Sequence, residues 1–335
     1  MTKAKEENLD YNFDELSFKD HFLIMKSLRP EERVRVSLTS NGASHQAALF
    51  LNNFHGFELY GFSDNHWRIY AVQSPYETQK ERKDGFILNI KHNKGTSVIG
   101  CLDMDNNELW RKKDDAPFDV FKFVTNYFKI MLVANMDNIK KLVICGYKLC
   151  DFDFGVRSMK CLESLEIGGD VDIHQFLPKL ENPLKNLVVR CRTTEIPLAT
   201  YKQIYRVSQS LHLMYAKLTY QQFRELCAPR VSFAIGNLTP EDIFRFINSF
   251  KEVDIYEQIG EYQWNIDHSD FDLKELLRLL KISEKESKQE KIEIKQVSYP
   301  RKSGELSVTV STIKFAWDMR TQPMECGKEK KKIAE

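Results

Sequence analysis

The sequence of 335 residues contains no long hydrophobic run and no excess of charge of one sign. Residues 130–134 form one of its longest apolar stretches, which is far shorter than the roughly 18 residues of a membrane-spanning helix, so we expect no membrane partner. Lysine and arginine number 49 against 48 acidic residues, which gives a net charge of +1. Because proteins that bind nucleic acid usually carry a basic excess, this balance disfavours a nucleic-acid partner.

Paired cysteines are also lacking. The seven cysteines lie between Cys101 and Cys326 without the spacing of a disulfide framework. The first fifteen residues are charged and have no apolar core, so we expect no signal peptide. Both features are typical of a protein with reduced thiols in the cytoplasm or the nucleus.

The motifs of common enzymes are absent from the sequence. Residues 92–97 contain Lys-Gly-Thr, the reverse of the order in a phosphate-binding loop. Residues 153–155 read Asp-Phe-Gly, but the other kinase motifs do not precede them. Cys145 and Cys150 have no histidine at ligand spacing. We therefore expect no catalytic residue, no metal and no cofactor, and interpret the chain as a binding protein rather than an enzyme.

Short apolar doublets recur along the middle of the chain. They have the form Leu-x-Leu or close variants and follow one another at intervals of 20–24 residues. The doublets are Leu142-x-Ile144, Leu165-x-Ile167, Leu187-x-Val189, Leu211-x-Leu213, Val231-x-Phe233 and Val253-x-Ile255. Alternating apolar residues indicate strands, and this interval leaves room for a strand, a turn and a short helix.

Helix signals follow two of these doublets. Residues 211–227 align with residues 231–247 without a gap, and Thr219 and Thr239 occupy the same position as predicted helix caps. The pattern predicts an irregular α/β solenoid of leucine-rich-repeat type, irregular because the usual asparagine after each doublet is missing. An ordinary α/β domain whose strands recur by chance is the alternative.

The flanking regions predict further elements. Residues 57–62, 67–72 and 85–90 alternate as strands do, and two alternating stretches around a turn near residue 301 predict a terminal strand pair. The resulting domain plan has four parts. They are a flexible N-terminus (1–13), a short helical module (14–53), a leucine-rich-repeat-like domain (54–322) and a disordered tail (323–335).

Residues 16–41 of the helical module predict two short helices joined by a Leu-x-Pro turn at Leu28 and Pro30. This stretch resembles an F-box, the short unit that docks a Skp-type adaptor. The resemblance implies adaptor-binding roles for Leu16, Ile24, Met25, Leu28, Pro30, Val34 and Leu38. Three residues depart from the pattern, namely Ser17, Asp20 and His21. A helical cap on the solenoid is the alternative role of this module.

Taken together, the chain resembles nematode F-box proteins that carry an F-box-associated or related FTH-type domain. The resemblance rests on the F-box-like start, the doublet spacing and the strand-to-helix unit at residues 237–250. It implies a substrate-recognition adaptor of a cullin-based, SCF-type ubiquitin ligase, in which residues 54–322 form the F-box-associated, substrate-binding domain. The alternative is a stand-alone protein-binding repeat protein without ligase association.

Strand alternation also suggests where a target protein binds. Residues before, between and after the apolar pair of each doublet face away from the core. This set mixes interface-prone side chains with charges of both signs, which favours a protein target over a polyanion. The candidate target-binding residues are Glu166, Arg190, His212, Met214, Arg230, Asp254 and Tyr256.

Overall fold

The structure is a computed structural model that describes thirteen segments of the chain. These segments are residues 17–37, 54–73, 85–93, 95–114, 119–191, 201–213, 219–228, 230–233, 238–252, 263–266, 272–281, 292–301 and 304–313. The helices are α1 (Phe18–Ser27), α2 (Pro30–Ser37), α3 (Val120–Asn135), α4 (Lys202–Tyr205), α5 (Tyr220–Arg224), α6 (Pro240–Glu252) and α7 (Leu273–Leu279). Two 3-10 turns lie at Ile173–Gln175 and Leu177–Lys179.

Thirteen strands belong to these segments. They are β1 (Gly56–Ser63), β2 (His66–Val72), β3 (Gly85–Asn93), β4 (Thr96–Leu102), β5 (Glu108–Asp114), β6 (Lys141–Gly146), β7 (Ser164–Gly169), β8 (Asn186–Cys191), β9 (Ser210–Leu213), β10 (Arg230–Phe233), β11 (Gln263–Ile266), β12 (Ile292–Arg301) and β13 (Gly304–Ile313).

Eleven of the strands form one mixed sheet in the order β11-β10-β9-β8-β7-β6-β1-β2-β3-β4-β5. From β1 to β5 each strand is antiparallel to the next. From β6 to β11 each strand is parallel to the next. The two halves join through β1 and β6, which pair in parallel with Leu59 opposite Ile144.

The predicted layout of a helical module followed by a leucine-rich-repeat-like solenoid is therefore wrong. Strands expected as flanking pieces hydrogen-bond directly to the doublet strands, so the doublets make up one half of a larger mixed α/β sheet. Regular spacing fails to distinguish the two architectures, because parallel strands with short crossovers recur at similar intervals in both. The last expected doublet, at Val253 and Ile255, lies outside the described residues. Among the described strands, β11 lies at the edge of the sheet next to β10.

Helix α3 packs against one face of the sheet, where its rings meet aromatic side chains of β1 and β2. Asp119 caps this helix by accepting a hydrogen bond from the backbone N–H of Lys122. The ring of Phe128 contacts Phe57 edge-on at 6.4 Å, and Phe121 contacts Trp67 at 5.7 Å. The apolar pairs of the doublet strands point to the same face, since Leu142 lies beside Phe57 in the register.

The helix pair α1–α2 lies against the antiparallel half. The Ser17 hydroxyl caps α1 by accepting from the Asp20 N–H. The indole N–H of Trp110 on β5 donates to the Glu31 carbonyl of α2 at 3.1 Å. Met25 and Val34 have no exposed surface, so they anchor the pair through the hydrophobic effect.

The described residues divide into two compact units. The first contains α1–α5 and the eleven-stranded sheet, and the second contains α6, α7 and the antiparallel hairpin β12–β13. The helix caps expected at the two aligned threonines are confirmed. Each is a capping box with reciprocal hydrogen bonds, between Thr219 and Gln222 and between Thr239 and Asp242. The predicted domain boundaries stay a prediction. Within the described segments, no helix combines the length and apolarity that crossing a membrane requires.

Candidate functional site

The sheet face opposite α3 carries most of the polar side chains of the strands, and we call it the polar face. Residues alternate between the two faces along each strand, so the register fixes which side chains share it. Glu58 lies beside Tyr70 on one side and Val143 on the other. The row continues through Glu166, Val188 and His212 into the parallel half. The polar face therefore runs across both halves of the sheet.

A group of titratable side chains lies where the halves join. This junction cluster consists of Glu58, Tyr60, Lys141, Cys145, Glu166, Arg190 and His212. Glu58 is only 4% exposed. Its carboxylate accepts from the Lys141 ammonium at 2.8 Å and from the Tyr60 hydroxyl at 3.1 Å. A carboxylate so far removed from water needs such partners, because burial of an unpaired charge is costly.

The next strands continue the cluster with a second ion pair. The Arg190 guanidinium lies 3.3 Å from the Glu166 carboxylate, and both side chains keep part of their surface in solvent. Burial and the positive charge of Arg190 lower the pKa of the half-buried His212. The imidazole is therefore mainly neutral at neutral pH and can both donate and accept a hydrogen bond.

Two groups of the junction cluster are held in their protonated forms. Burial first, and then the charge of Glu58, raises the pKa of Tyr60. Burial raises the pKa of the Cys145 thiol to about 12, with Glu166 as the next cause. A thiol with a raised pKa is a poor nucleophile. The arrangement thus supplies hydrogen-bond donors and fixed charges, which suit binding better than covalent catalysis.

The antiparallel half of the polar face carries a second group, which we call the cationic patch. It consists of His66, Arg68, Lys91 and Lys113, together with the ring of Phe62. The register places Lys91 opposite His66, and Val98 between Lys91 and Lys113. Phe62 is 50% exposed and stacks on His66 with ring centroids 4.8 Å apart.

Metal binding has no support within the described segments, where no group of three or more His, Cys, Asp or Glu side chains has a suitable arrangement. Two carboxylates after the Gly-Gly turn instead hold loop backbone. Asp170 accepts from the N–H groups of Lys148 and Leu149. Asp172 accepts from the N–H of His174. These bonds account for both side chains as turn residues.

Four of the candidate target-binding residues lie together on the polar face. They are Glu166, Arg190, His212 and Arg230. Met214, Asp254 and Tyr256 lie outside the described residues. Glu58, Tyr60 and Arg68 were not predicted as site residues, because they lie on strands that were expected to flank the repeats. Their alternation with buried residues at positions 57, 59, 67 and 69 was the available signal.

The candidate adaptor-binding residues lie in different environments. Ile24 is 36% exposed, and Leu28 and Pro30 are partly exposed, whereas Met25 and Val34 offer no surface to a partner. Leu16 and Leu38 lie outside the described residues. Leu23, which the resemblance did not single out, is 54% exposed beside Ile24. A partner can therefore reach Leu23 and Ile24 on α1, but not Met25, which was expected to take part in docking.

Comparisons with protein-family models, with curated proteins and with solved structures find no match for this chain. The likeness to F-box proteins consequently rests on the sequence motifs alone.

Proposed function

We propose that the chain is a substrate-recognition subunit of a cullin-based ubiquitin ligase. In this proposal α1–α2 dock a Skp-type adaptor, and the polar face binds a protein target. The chain itself carries out no chemistry and needs no cofactor, and it works in the cytoplasm or the nucleus. The F-box-like sequence and the interface-prone side chains of the polar face both support this role.

The observation that carries the proposal is the adjacent pair of exposed apolar side chains on α1. Leu23 and Ile24 are 54% and 36% exposed, although a helix of ten residues has few apolar positions to spare. The opposite side of the helix is anchored by Met25. A helix held from one side with apolar residues on the other is suited to docking a partner.

Co-purification tests the adaptor role. The full chain should capture a Skp-type adaptor together with the N-terminal half of a cullin. The double change Leu23→Asp and Ile24→Asp should abolish capture, because it places two charges in an apolar contact. Val133→Asp is the matched control, since Val133 is a 43% exposed apolar residue on α3. Capture that survives the double change contradicts the assigned docking surface.

A stand-alone binding protein is the second candidate function. The complete burial of Met25 and Val34 favours it, because two of the residues matched to the docking pattern serve packing within the chain. In that case α1–α2 only cover the sheet. Failure of the wild-type chain to bind any Skp-type adaptor would select this candidate, and the role of the polar face would remain.

A further inference from the structure

Among the described residues, the positive charge of the cationic patch has no acidic partner. Three described carboxylates of the antiparallel half, on β1, in the β1–β2 turn and on β5, are already paired with other cations. Glu58 is paired with Lys141, Asp64 with Lys148 and Glu108 with Arg111. The side chains of Arg68, Lys91 and Lys113 form no ion pair with the described carboxylates. An unbalanced cluster of cations on a sheet face is a site for an anion.

Arg68 is held in a fixed orientation by neutral groups. Its Nε–H donates to the Asn89 side-chain oxygen at 3.4 Å, and one terminal N–H donates to the Tyr70 hydroxyl at 3.3 Å. The guanidinium carbon lies 5.7 Å from the ring centroid of Phe62. These contacts orient the guanidinium, and they leave other N–H donors for a ligand.

His66 adds an imidazole beside this guanidinium. Its Nε2 lies 2.9 Å from the same Asn89 oxygen. Because a guanidinium only donates, this oxygen is the acceptor in both bonds, and Nε2 of His66 carries the hydrogen. Burial and the charges of Lys91 and Arg68 lower the pKa of His66, whereas the bond to Asn89 opposes them. The His66 imidazole thus lies near two positive charges, and a bound anion would offset their repulsion of its protonated form.

We propose that the cationic patch binds a phosphorylated side chain of the target protein. This inference rests on the proposed function, because it names the class of target that the polar face takes. A phosphate group carries about two negative charges, which match Arg68 and Lys91, and its oxygens fit the guanidinium fork. A single carboxylate would neutralise only one of these cations.

A nucleic acid fits the polar face less well. Arg68 stacked near an exposed ring resembles the contacts of single-strand binders. However, the next strands of the polar face carry the Glu58 and Glu166 carboxylates. These charges would repel a phosphate backbone that continued across the sheet. The patch is therefore suited to one phosphate group on an otherwise mixed-charge chain.

A synthetic peptide library provides the test. The full chain is incubated with degenerate nonapeptides that carry a central phosphoserine, phosphothreonine or phosphotyrosine. Parallel samples contain the same library after phosphatase treatment, a library with a central glutamate, and a uridine nonanucleotide. We expect at least about tenfold more binding to one phosphorylated library than to the other samples, as the loss of a charged hydrogen-bond network predicts.

Paired variants link the signal to the patch. Arg68→Gln with Lys91→Gln should reduce phosphopeptide binding by about tenfold or more, whereas Lys160→Gln with Lys202→Gln removes the same charge elsewhere and should not. Lys91→Gln alone changes one exposed side chain, so it tests the site even if the double variant fails to fold.

Three outcomes would overturn the inference. The first is equal binding of phosphorylated and dephosphorylated peptides. The second is binding of the glutamate library or of the nucleotide that equals binding of the phosphorylated library. Such a result would identify an acidic peptide or a nucleic acid as the ligand. The third is phosphopeptide binding that survives loss of Arg68 and Lys91. Adaptor capture is measured on the same preparations, so a failed phosphopeptide assay with intact capture leaves the proposed function standing.

Discussion

Removal of the Lys141 ammonium should destabilise the sheet through the buried Glu58 carboxylate. Lys141 and Glu58 lie on neighbouring parallel strands that join the two halves of the sheet, with 2.8 Å between their charged atoms. Lys141→Met keeps much of the aliphatic length of the side chain but removes its charge. Glu58, which is only 4% exposed, then loses its ammonium partner while its own charge stays buried.

The size of the effect follows from the burial of the two partners. Breaking a fully buried ion pair by removal of one member costs about 3–5 kcal/mol. The Lys141 side chain is 25% exposed, so solvent already screens part of the attraction. We therefore expect Lys141→Met to lower the free energy of unfolding by about 2–3 kcal/mol. Urea denaturation followed by tryptophan fluorescence measures this change, with the buried Trp67 on β2 as a reporter.

A double-mutant cycle and a surface pair provide the controls. The change Glu58→Gln on top of Lys141→Met should restore most of the lost stability, because the buried charge is gone. Lys148→Met breaks the Lys148–Asp64 pair, whose side chains are about two-thirds exposed, and should cost less than about 0.5 kcal/mol. Equal losses of stability in Lys141→Met and Lys148→Met would refute a special role for the buried pair, as would a change at Glu58 that restores no stability.

The remaining predictions concern the core, a strand end and pH. Leu187→Ala, at a fully buried position on β8, should lower the free energy of unfolding by about 2–5 kcal/mol, and a loss below 1 kcal/mol in urea denaturation would contradict this packing. Gly169→Ala should cost at least about 2 kcal/mol, because Gly169 has a φ of 79° and a Cβ there would approach a backbone oxygen of β6. Gly95→Ala separates backbone strain from steric clash, because Gly95 has a φ of 85° but open space around it. Equal losses of stability in the two variants would rule out the clash as a cause. Burial lowers the pKa of both His66 and His212, so the unfolded chain binds protons that the folded chain does not, and stability should fall as pH drops below about 6.5. Thermal unfolding between pH 7.5 and 6 measures this loss of stability. The decrease should be smaller when both histidines are changed to asparagine, and an unchanged decrease would contradict their role.

Local alternation in the sequence was sufficient to orient strand residues. The apolar pairs at Leu165 and Ile167, and at Leu187 and Val189, are buried, and Glu166 and Arg190 lie on the opposite face. The rule works because successive side chains of a strand must point to opposite faces, whatever sheet the strand joins. Their role in target binding stays a prediction, because orientation alone does not identify a partner.

The neighbours of each strand could not be predicted in the same way. Glu58 and Lys141 are 83 residues apart in sequence, yet they form the ion pair that joins the halves of the sheet. Nothing in either stretch indicates that β1 pairs with β6, because strand pairing depends on non-local contacts and on the packing of α3. The solenoid was predicted from the doublet spacing and from the helix signals that follow two doublets. Neither signal contains the strand pairing, which is the information that would have excluded the solenoid.

The register of the sheet sets how a target could reach both parts of the polar face. Arg68, Tyr60, Cys145, Gly168 and Arg190 lie in one row across five neighbouring strands. Four strand spacings of about 4.8 Å separate Arg68 from Arg190 by about 19 Å. An extended peptide covers that distance with about six residues. A phosphopeptide whose phosphate lies on the cationic patch should therefore sense Arg190→Ala only if it continues at least that far. Binding of peptides truncated one residue at a time, compared between wild type and Arg190→Ala, measures the length at which the difference appears. A difference already present for a peptide of three residues would show that Arg190 acts through the fold and not through contact with the target.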